Sequence, residues 1–404
     1  MRRTFAAKKT KERMRQLILS LALAACSMAA MAQSERTEEK SATLGEVTIK
    51  AARTVQKPDG QWIYPTQQQL ERSSDAYSLL AKLALPHIRV EEAMNSITAL
   101  TNLGSVQVRI NNVVATKQDL LALDMRGVQR VEFIDNPGLR YGEGIAYVIN
   151  LKVRKPDSGY VIGSSLTNAL TTLLGEESLY ARINHGRSEF GLSYGLDYHR
   201  LTGEEHDELA TYQLESGTTE QIHRRLTAGR SRSLGNNAQL TYSLSDSSYV
   251  FQARLSADGH LQPTRTERTM EVDGATFTNH TSSRAATPSL DLYYHQDFRR
   301  HQSLTAYMVG TYIKSAGSVE NNEGAPYAYS TDGRTRSLWS EAIYENRLKP
   351  FTLSAGAQFN LNRNHNKYEG DVDAINHLHT ASTYLFGQLK GQVGKFPYMV
   401  GIGT

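Results

Sequence analysis

From about Pro156 to Thr404 the sequence alternates with a period of two. Phe190, Leu192, Tyr194, Leu196 and Tyr198 are separated by Gly191, Ser193, Gly195 and Asp197. Tyr249, Phe251, Ala253, Leu255 and Ala257 follow the same rule, as do Leu304, Ala306, Met308 and Tyr312, and then Leu353, Ala355, Ala357, Phe359 and Leu361. Successive side chains of a strand point to opposite faces, so each segment presents one apolar face and one face of Ser, Gly, Gln, Asn, Asp and Arg. Helical periodicity is absent here. Such a chain must pair its strands side by side, and its function depends on what each face meets.

Two environments fit this pattern. In a soluble β-sandwich or propeller the apolar faces turn inward on a shared core. In an outer-membrane barrel they turn to lipid while the polar faces line the lumen. The segments run about nine to eleven residues, the length that crosses a bilayer at a tilt. Tyrosine recurs near their ends, and 21 tyrosines against 10 phenylalanines suit side chains that sit half in lipid and half in water. Short connections (245–248 and 299–301) alternate with long polar ones (262–286 and 316–336), as the two sides of a membrane barrel require. The reading is an antiparallel transmembrane β-barrel over 156–404, with the soluble fold as the alternative. Only 39% of the chain is hydrophobic and no run of eighteen apolar residues interrupts it, so a helical membrane protein is not expected.

The first 32 residues read as a targeting segment. Arg2, Arg3, Lys8, Lys9, Lys11, Arg13 and Arg15 precede the apolar stretch Leu17 to Ala25, and Ala30-Met31-Ala32 has the small-x-small form of a cleavage site. Leu23-Ala24-Ala25-Cys26 also has the form of a lipoprotein box, so cleavage before Cys26 stays open beside cleavage after Ala32. Either way no second cysteine is present and no disulfide framework is expected. The formal charge of the whole chain is +4, but the first 32 residues carry +6 of it and leave the remainder at −2. The basic balance belongs to export, and nucleic acid is not an expected partner.

Between Ser41 and Lys155 the pattern is mixed. Ser74 is a candidate N-cap, Ala76, Leu79, Leu80 and Leu83 share one helical face, and Pro86 ends the helix. Thr116 with Asp119 has the form of a capping box before Leu120, Leu121 and Leu123. Val106, Val108 and Ile110 alternate with Gln107 and Arg109, and Ile145, Tyr147, Ile149, Leu151 and Val153 do so with Asn150, Lys152 and Arg154. This is the signature of a small α+β domain.

The stretch from Val131 to Lys155, with Val106 to Val113 before it, resembles the plug domain of a TonB-dependent outer-membrane receptor, in the Bacteroidetes-type outer-membrane β-barrel family. The resemblance rests on Val131-Glu132-Phe133-Ile134, Asn136-Pro137-Gly138, Arg140-Tyr141-Gly142, Gly144, Val148-Ile149-Asn150-Leu151 and Arg154-Lys155, in order and at the family's spacing. Two places depart from it: His87 stands where a glycine is expected, and so do Ala146-Tyr147 before Val148. The resemblance implies four segments: a signal peptide at 1–32, a periplasmic segment at 33–60, a plug at 61–155 and a partial barrel at 156–404. Leu44 to Ala51 resembles the extended segment offered to TonB, so Glu46, Val47, Thr48, Ile49, Lys50 and Ala51 are the implied TonB contacts, by strand addition. An ordinary first strand is the competing reading of Val47 and Ile49. The family's 22-stranded barrel exceeds the ten or eleven strand candidates after Tyr160, so a fragment or truncated product holding about half a barrel is expected.

The implied activity is uptake of an external ligand, of siderophore, vitamin, sugar or peptide class, across the bacterial outer membrane, with the lipid bilayer and the TonB energising complex as partners. A non-transporting surface protein, an adhesin or assembly factor with a degenerate plug, is the alternative. No catalytic constellation and no cofactor are expected. Glu176-Glu177 and Glu204-Glu205 read as solvated turns, and Gly142-Glu143-Gly144 precedes a strand where a phosphate loop needs a helix. His365, His377 and His379, near Glu369, Asp371 and Asp373, are weak metal candidates, since two histidines one residue apart on a strand share a face.

Overall fold

The computed structural model describes residues 53–101, 103–142, 144–154, 157–298, 301–322, 326–371, 373–394 and 396–404. The export segment with Cys26, and the stretch Glu46 to Ala51, lie outside the described residues.

The smaller domain follows from its alternating and capped segments. Its strands are β1 (Thr54–Lys57), β2 (Gly60–Ile63), β3 (Ile88–Glu91), β4 (Ser96–Ala99), β5 (Ser105–Ile110), β6 (Val113–Val114), β7 (Val128–Ile134) and β8 (Ile145–Val153). Its helices are α1 (Gln67–Glu71), α2 (Ala76–Leu83) and α3 (Lys117–Leu121). Six strands form one mixed sheet in the order β1-β2-β7-β8-β5-β6, in which only β5 and β8 run parallel, and β3 with β4 forms a separate hairpin. Leu79 and Leu80 of α2 pack on Val131, Phe133, Ile149 and Leu151, all at most 1% exposed. Burying each such side chain contributes roughly 1.5–3 kcal/mol, which makes this the domain's core.

The caps refine the sequence reading. Thr116 and Asp119 form the expected capping box on α3. The N-cap of α2 is Asp75, whose Oδ1 accepts from Ser78 N at 2.9 Å, and Ser74 donates to Asp75 instead of capping. The extended backbone at Asp75, φ −158° and ψ −176°, aims its carboxylate at the Ser78 amide. His87 adopts φ 60°, so it holds the left-handed conformation without being glycine.

The larger unit is a twelve-stranded antiparallel sheet. Its strands are β9 (Ser158–Asn168), β10 (Leu173–His185), β11 (Ser188–Thr202), β12 (His206–Gln213), β13 (Thr219–Ser245), β14 (Tyr249–Val272), β15 (Ala275–Phe298), β16 (Gln302–Asn321), β17 (Tyr327–Leu348), β18 (Phe351–Gly370), β19 (Ala374–Val393) and β20 (Phe396–Gly403). Neighbours in sequence pair in sequence order, except that β12 pairs with β13 off the main path, and among the described residues β9 and β20 are the edges. The expected length of nine to eleven residues is exceeded: β13 to β19 run 20–27 residues. The expected long loops at 262–286 and 316–336 are mostly strand, because β14 meets β15 across Asp273-Gly274 and β16 and β17 are paired from Asn321 and Tyr327 onward. Both faces of these extensions are polar, so they carry no alternation for a sequence reading to detect.

One face of this sheet touches the smaller domain from β9 to β19. Asn95 reaches Ser165 of β9, Asp119 reaches Arg254 of β14, Arg140 reaches Glu345 of β17 and Leu139 reaches Gln388 of β19. A flat sheet of eleven such strands would be about 50 Å wide, too wide for a domain of roughly 100 residues to meet both ends on one face. The sheet is therefore a curved wall with the α+β domain held in its concavity.

Candidate functional site

The convex face is apolar, and the concave face is largely polar but carries buried Tyr293, Ile343 and Phe386 and the ring contacts Tyr293–Tyr307–Trp339. Leu192, Leu240, Leu255 and Leu290 stand opposite one another on β11, β13, β14 and β15, and each is 43–59% exposed on the convex side. Serines, glutamines and charges occupy the alternate positions, including buried Ser243, Arg254, Ser303, Glu345, Ser354 and Gln388.

Two ionic clamps join domain and wall. At the first, Asp119 Oδ2 accepts from Thr116 N at 2.9 Å to close the cap of α3, and also from Arg254 Nη2 at 2.6 Å. Arg254 donates further to Val114 O at 3.2 Å and Asp291 at 3.3 Å, Gln239 donates to Asp119 at 3.3 Å, and Arg182 lies 3.7 Å away. Lys117, one residue after the cap, pairs with Glu176 at 2.5 Å. Glu176 is thus a partner of the domain and not a solvated turn charge.

At the second clamp, Arg140 Nη1 donates to Glu345 Oε1 at 2.9 Å, and Ser354 donates to the same carboxylate oxygen at 3.3 Å. Arg109 and Arg140 both lie over the Tyr141 ring, at 5.0 and 5.4 Å. Burial pushes the Arg109 guanidinium down from its ordinary range, and the nearby Arg140 charge acts in the same direction. Burial also opposes the Arg140 charge, but Tyr141 and Glu345 outweigh it and hold that group above its ordinary range. Burial raises the Tyr141 phenol. Two guanidiniums share this pocket because a ring face and buried carboxylates compensate them.

The motif residues fall around the second clamp. Asn136 and Pro137 follow β7, and Asn136 N donates to Asp59 O at 3.3 Å. Gly138, Gly142 and Gly144 take positive φ values of 63°, 90° and 75°, which favour glycine, and the first two bracket the 3-10 turn Leu139–Tyr141 that presents Arg140 and Tyr141 to the wall. A Cβ on Gly138 would stand 2.7 Å from Gln388 Oε1 and 2.9 Å from Met399 Sδ, so the loop also needs a small residue there. Ile149 is core, while Asn150 donates to Glu132 at 2.6 Å and Asn112 at 2.7 Å and ties β8 to its neighbours. Asp59, beside this loop, pairs with Lys390 of β19.

Between the stretch from Val113 to Gln129 and the wall from β9 to β14 lies a cavity of about 1550 Å³, lined by Asp119, Arg126, Arg182, Gln239 and Arg254 and reaching the turns at 186–187 and 246–247. The histidine candidates lie on the convex face. His365 and His377 are directly opposite, with their Nδ1 atoms 3.1 Å apart, and His379 stands one pair further along opposite Arg363. Among the described residues no three His, Cys, Asp or Glu side chains gather as a metal set.

No family model and no curated protein sequence matches the chain. Solved structures do. The ferric yersiniabactin uptake receptor FyuA from Yersinia pestis matches at 13% identity and a TM-score of 0.49, over 81% of this chain and 61% of that one. The alcaligin outer-membrane receptor FauA from Bordetella pertussis matches at 14% and 0.40, over 84% and 61%. The pyoverdine outer-membrane receptor FpvA from Pseudomonas aeruginosa PAO1, bound to pyoverdine, matches at 12% and 0.41, over 82% and 60%. The chain thus spans about three fifths of the length of each.

Proposed function

We propose that the chain serves as a TonB-dependent receptor of the bacterial outer membrane, taking up an external ligand of siderophore, vitamin, sugar or peptide class. The observation that carries this reading is an α+β domain clamped by ion pairs inside a curved wall whose convex face is leucine-rich. A wall of that polarity suits lipid outside and a polar passage inside. A domain filling the passage makes the wall useless for transport until it moves, and its holding contacts are mostly hydrogen bonds and ion pairs, which can exchange with water when the domain is pulled.

In this reading Glu46 to Ala51 provide the handle, adding as a strand to TonB, and the loop from Asn136 to Gly144 is the seat that the pull unloads. The cavity beside α3 marks where the passage would widen first, since the first clamp is its border. β9 and β20 are edges among the described residues, and in such a wall edge strands would be paired, because an unpaired backbone group in lipid costs several kcal/mol.

The test is binding of the periplasmic domain of TonB from the same organism to the detergent-solubilised chain, with and without residues 44–51. Loss of binding on deletion supports the handle, and equal binding by both forms overturns it. Uptake by cells producing the protein with and without residues 44–51 is the second readout.

A further inference from the structure

The convex face carries a pattern that ligand passage leaves unused. On β16 to β19 the outward row Gly310, Leu338, Leu361 and Ala381 is followed, toward the extended hairpins, by Tyr312, Arg336, Arg363 and His379. The next row is Lys314, Arg334, His365 and His377, and the third sets Arg284 of β15 beside Ala316, Asp332 and Lys367. The change from apolar to cationic takes a single step of two residues on several strands at once.

These cations are not balanced within the fold. Arg334 has Asp332 at 3.5 Å and Lys367 has Glu369, but Arg284, Lys314, Arg336 and Arg363 have no carboxylate at ion-pair distance among the described residues. All four are exposed, and Arg336 lies over the Tyr312 ring at 6.0 Å. Like charges directly opposite on a sheet destabilise it, yet Arg336 faces Arg363 and Lys314 faces Arg334. An external anion would relieve that repulsion. A divalent metal at the His365 and His377 pair would aggravate it, since Arg334 and Arg363 flank those rings.

We propose that this surface binds a phosphate-bearing membrane lipid through its headgroup. The inference rests on the reading of the wall as membrane-spanning, which sets the cations at the level where acyl chains end and headgroups begin. Guanidinium forks match phosphate oxygens in pairs, and the row of lysine and arginine spans several strands, so a headgroup with more than one phosphate fits better than a single one. The leucine and alanine rows alongside take its acyl chains.

The test uses native mass spectrometry of the full chain in detergent, titrated with diphosphoryl lipid A or with dioleoylphosphatidylcholine. Selective retention of lipid A, weakened at least about tenfold by K314Q/R336Q/R363Q, is expected. A control variant, R225Q/R230Q/R265Q, carries the same charge change elsewhere and retains lipid A like the unaltered chain. Because the triple variant can fail to fold, the unaltered chain is also titrated at rising salt, where lipid A retention falls and phosphatidylcholine retention does not. Equal retention of the two lipids, or a patch variant that holds lipid A as well as the unaltered chain, overturns the proposal while leaving the membrane reading intact. A chain that stays soluble without detergent and retains neither lipid overturns both.

Discussion

Asp119 does two jobs, and substitutions separate them. Asp119→Asn keeps an acceptor for the Thr116 amide but withdraws the charge facing Arg254, whereas Asp119→Ala removes both. Losing the cap costs about 1 kcal/mol, while both variants leave Arg254 only its longer pairing with Asp291 at 3.3 Å, a cost below the roughly 3–5 kcal/mol of a fully unpaired buried charge, so the alanine variant is expected to be the worse by roughly the cap alone. Thermal unfolding in detergent, read on release of the small domain to protease, orders the two. Glu345→Ala strands Arg140 in the same way, while R140M/E345M removes both charges and is expected to cost less than the single change. Lys152 gives a pH dependence. Burial holds its ammonium below the ordinary value of 10.5, with Glu132 opposing, so the unfolded chain binds that proton more readily. Stability from this group therefore rises as pH climbs from the lowered value towards 10.5, and Lys152→Met removes that rise in denaturation measured from pH 8 to 11. Little of this was legible in sequence. Asp119 was readable as a cap because its partner is three residues away, but Arg254 and Glu345 are polar members of an alternation, and their partners lie 135 and 205 residues off.

Elements were legible where one local pattern decided them. The amphipathic face of α2, the capping box of α3 and the alternating strands β5 and β8 are all legible in the sequence. The cap of α2 lies at Asp75, one residue after the candidate Ser74, since the two are adjacent acceptors and the backbone at Asp75 aims its carboxylate at Ser78. Strand length failed for a different reason. Alternation reports only the part of a strand whose two faces meet different media, and beyond the apolar band both faces of β14 to β17 are polar while the backbone ladder continues. Gly60, at the start of β2, has no local sequence signal, yet its φ of 153° and a hypothetical Cβ 2.0 Å from Phe133 O show that β2 lies too close to β7 for any side chain. Gly60→Ala is expected to cost about 3 kcal/mol or more, from strain together with the backbone shift it forces. Hydrogen exchange should show β1 and β2 losing protection while β7 and β8 keep theirs, because the latter pair holds the core residues Phe133 and Ile149.

At the scale of the whole molecule, the two readings of the alternation make opposite demands on the same leucines. A sandwich would bury Leu192, Leu240, Leu255 and Leu290 against a second sheet, but this fold places its second layer, the α+β domain, on the other face. The leucine row is left facing outward across four strands, a contiguous apolar surface that a water-soluble protein rarely keeps. Leu255→Arg discriminates between the media. In lipid, an arginine near mid-wall is expected to cost about 2–4 kcal/mol, lowering the urea midpoint of the chain in vesicles and its yield in the membrane fraction. In water the same change would be near neutral for stability and would raise solubility. The companion variant Ser256→Arg reverses the geometry, since Ser256 faces inward and bonds Ser289 at 2.7 Å. It should leave membrane partition untouched while crowding the space beside Arg254 and loosening the first clamp. If Leu255→Arg is harmless and Ser256→Arg blocks membrane insertion, the faces have been assigned the wrong way round.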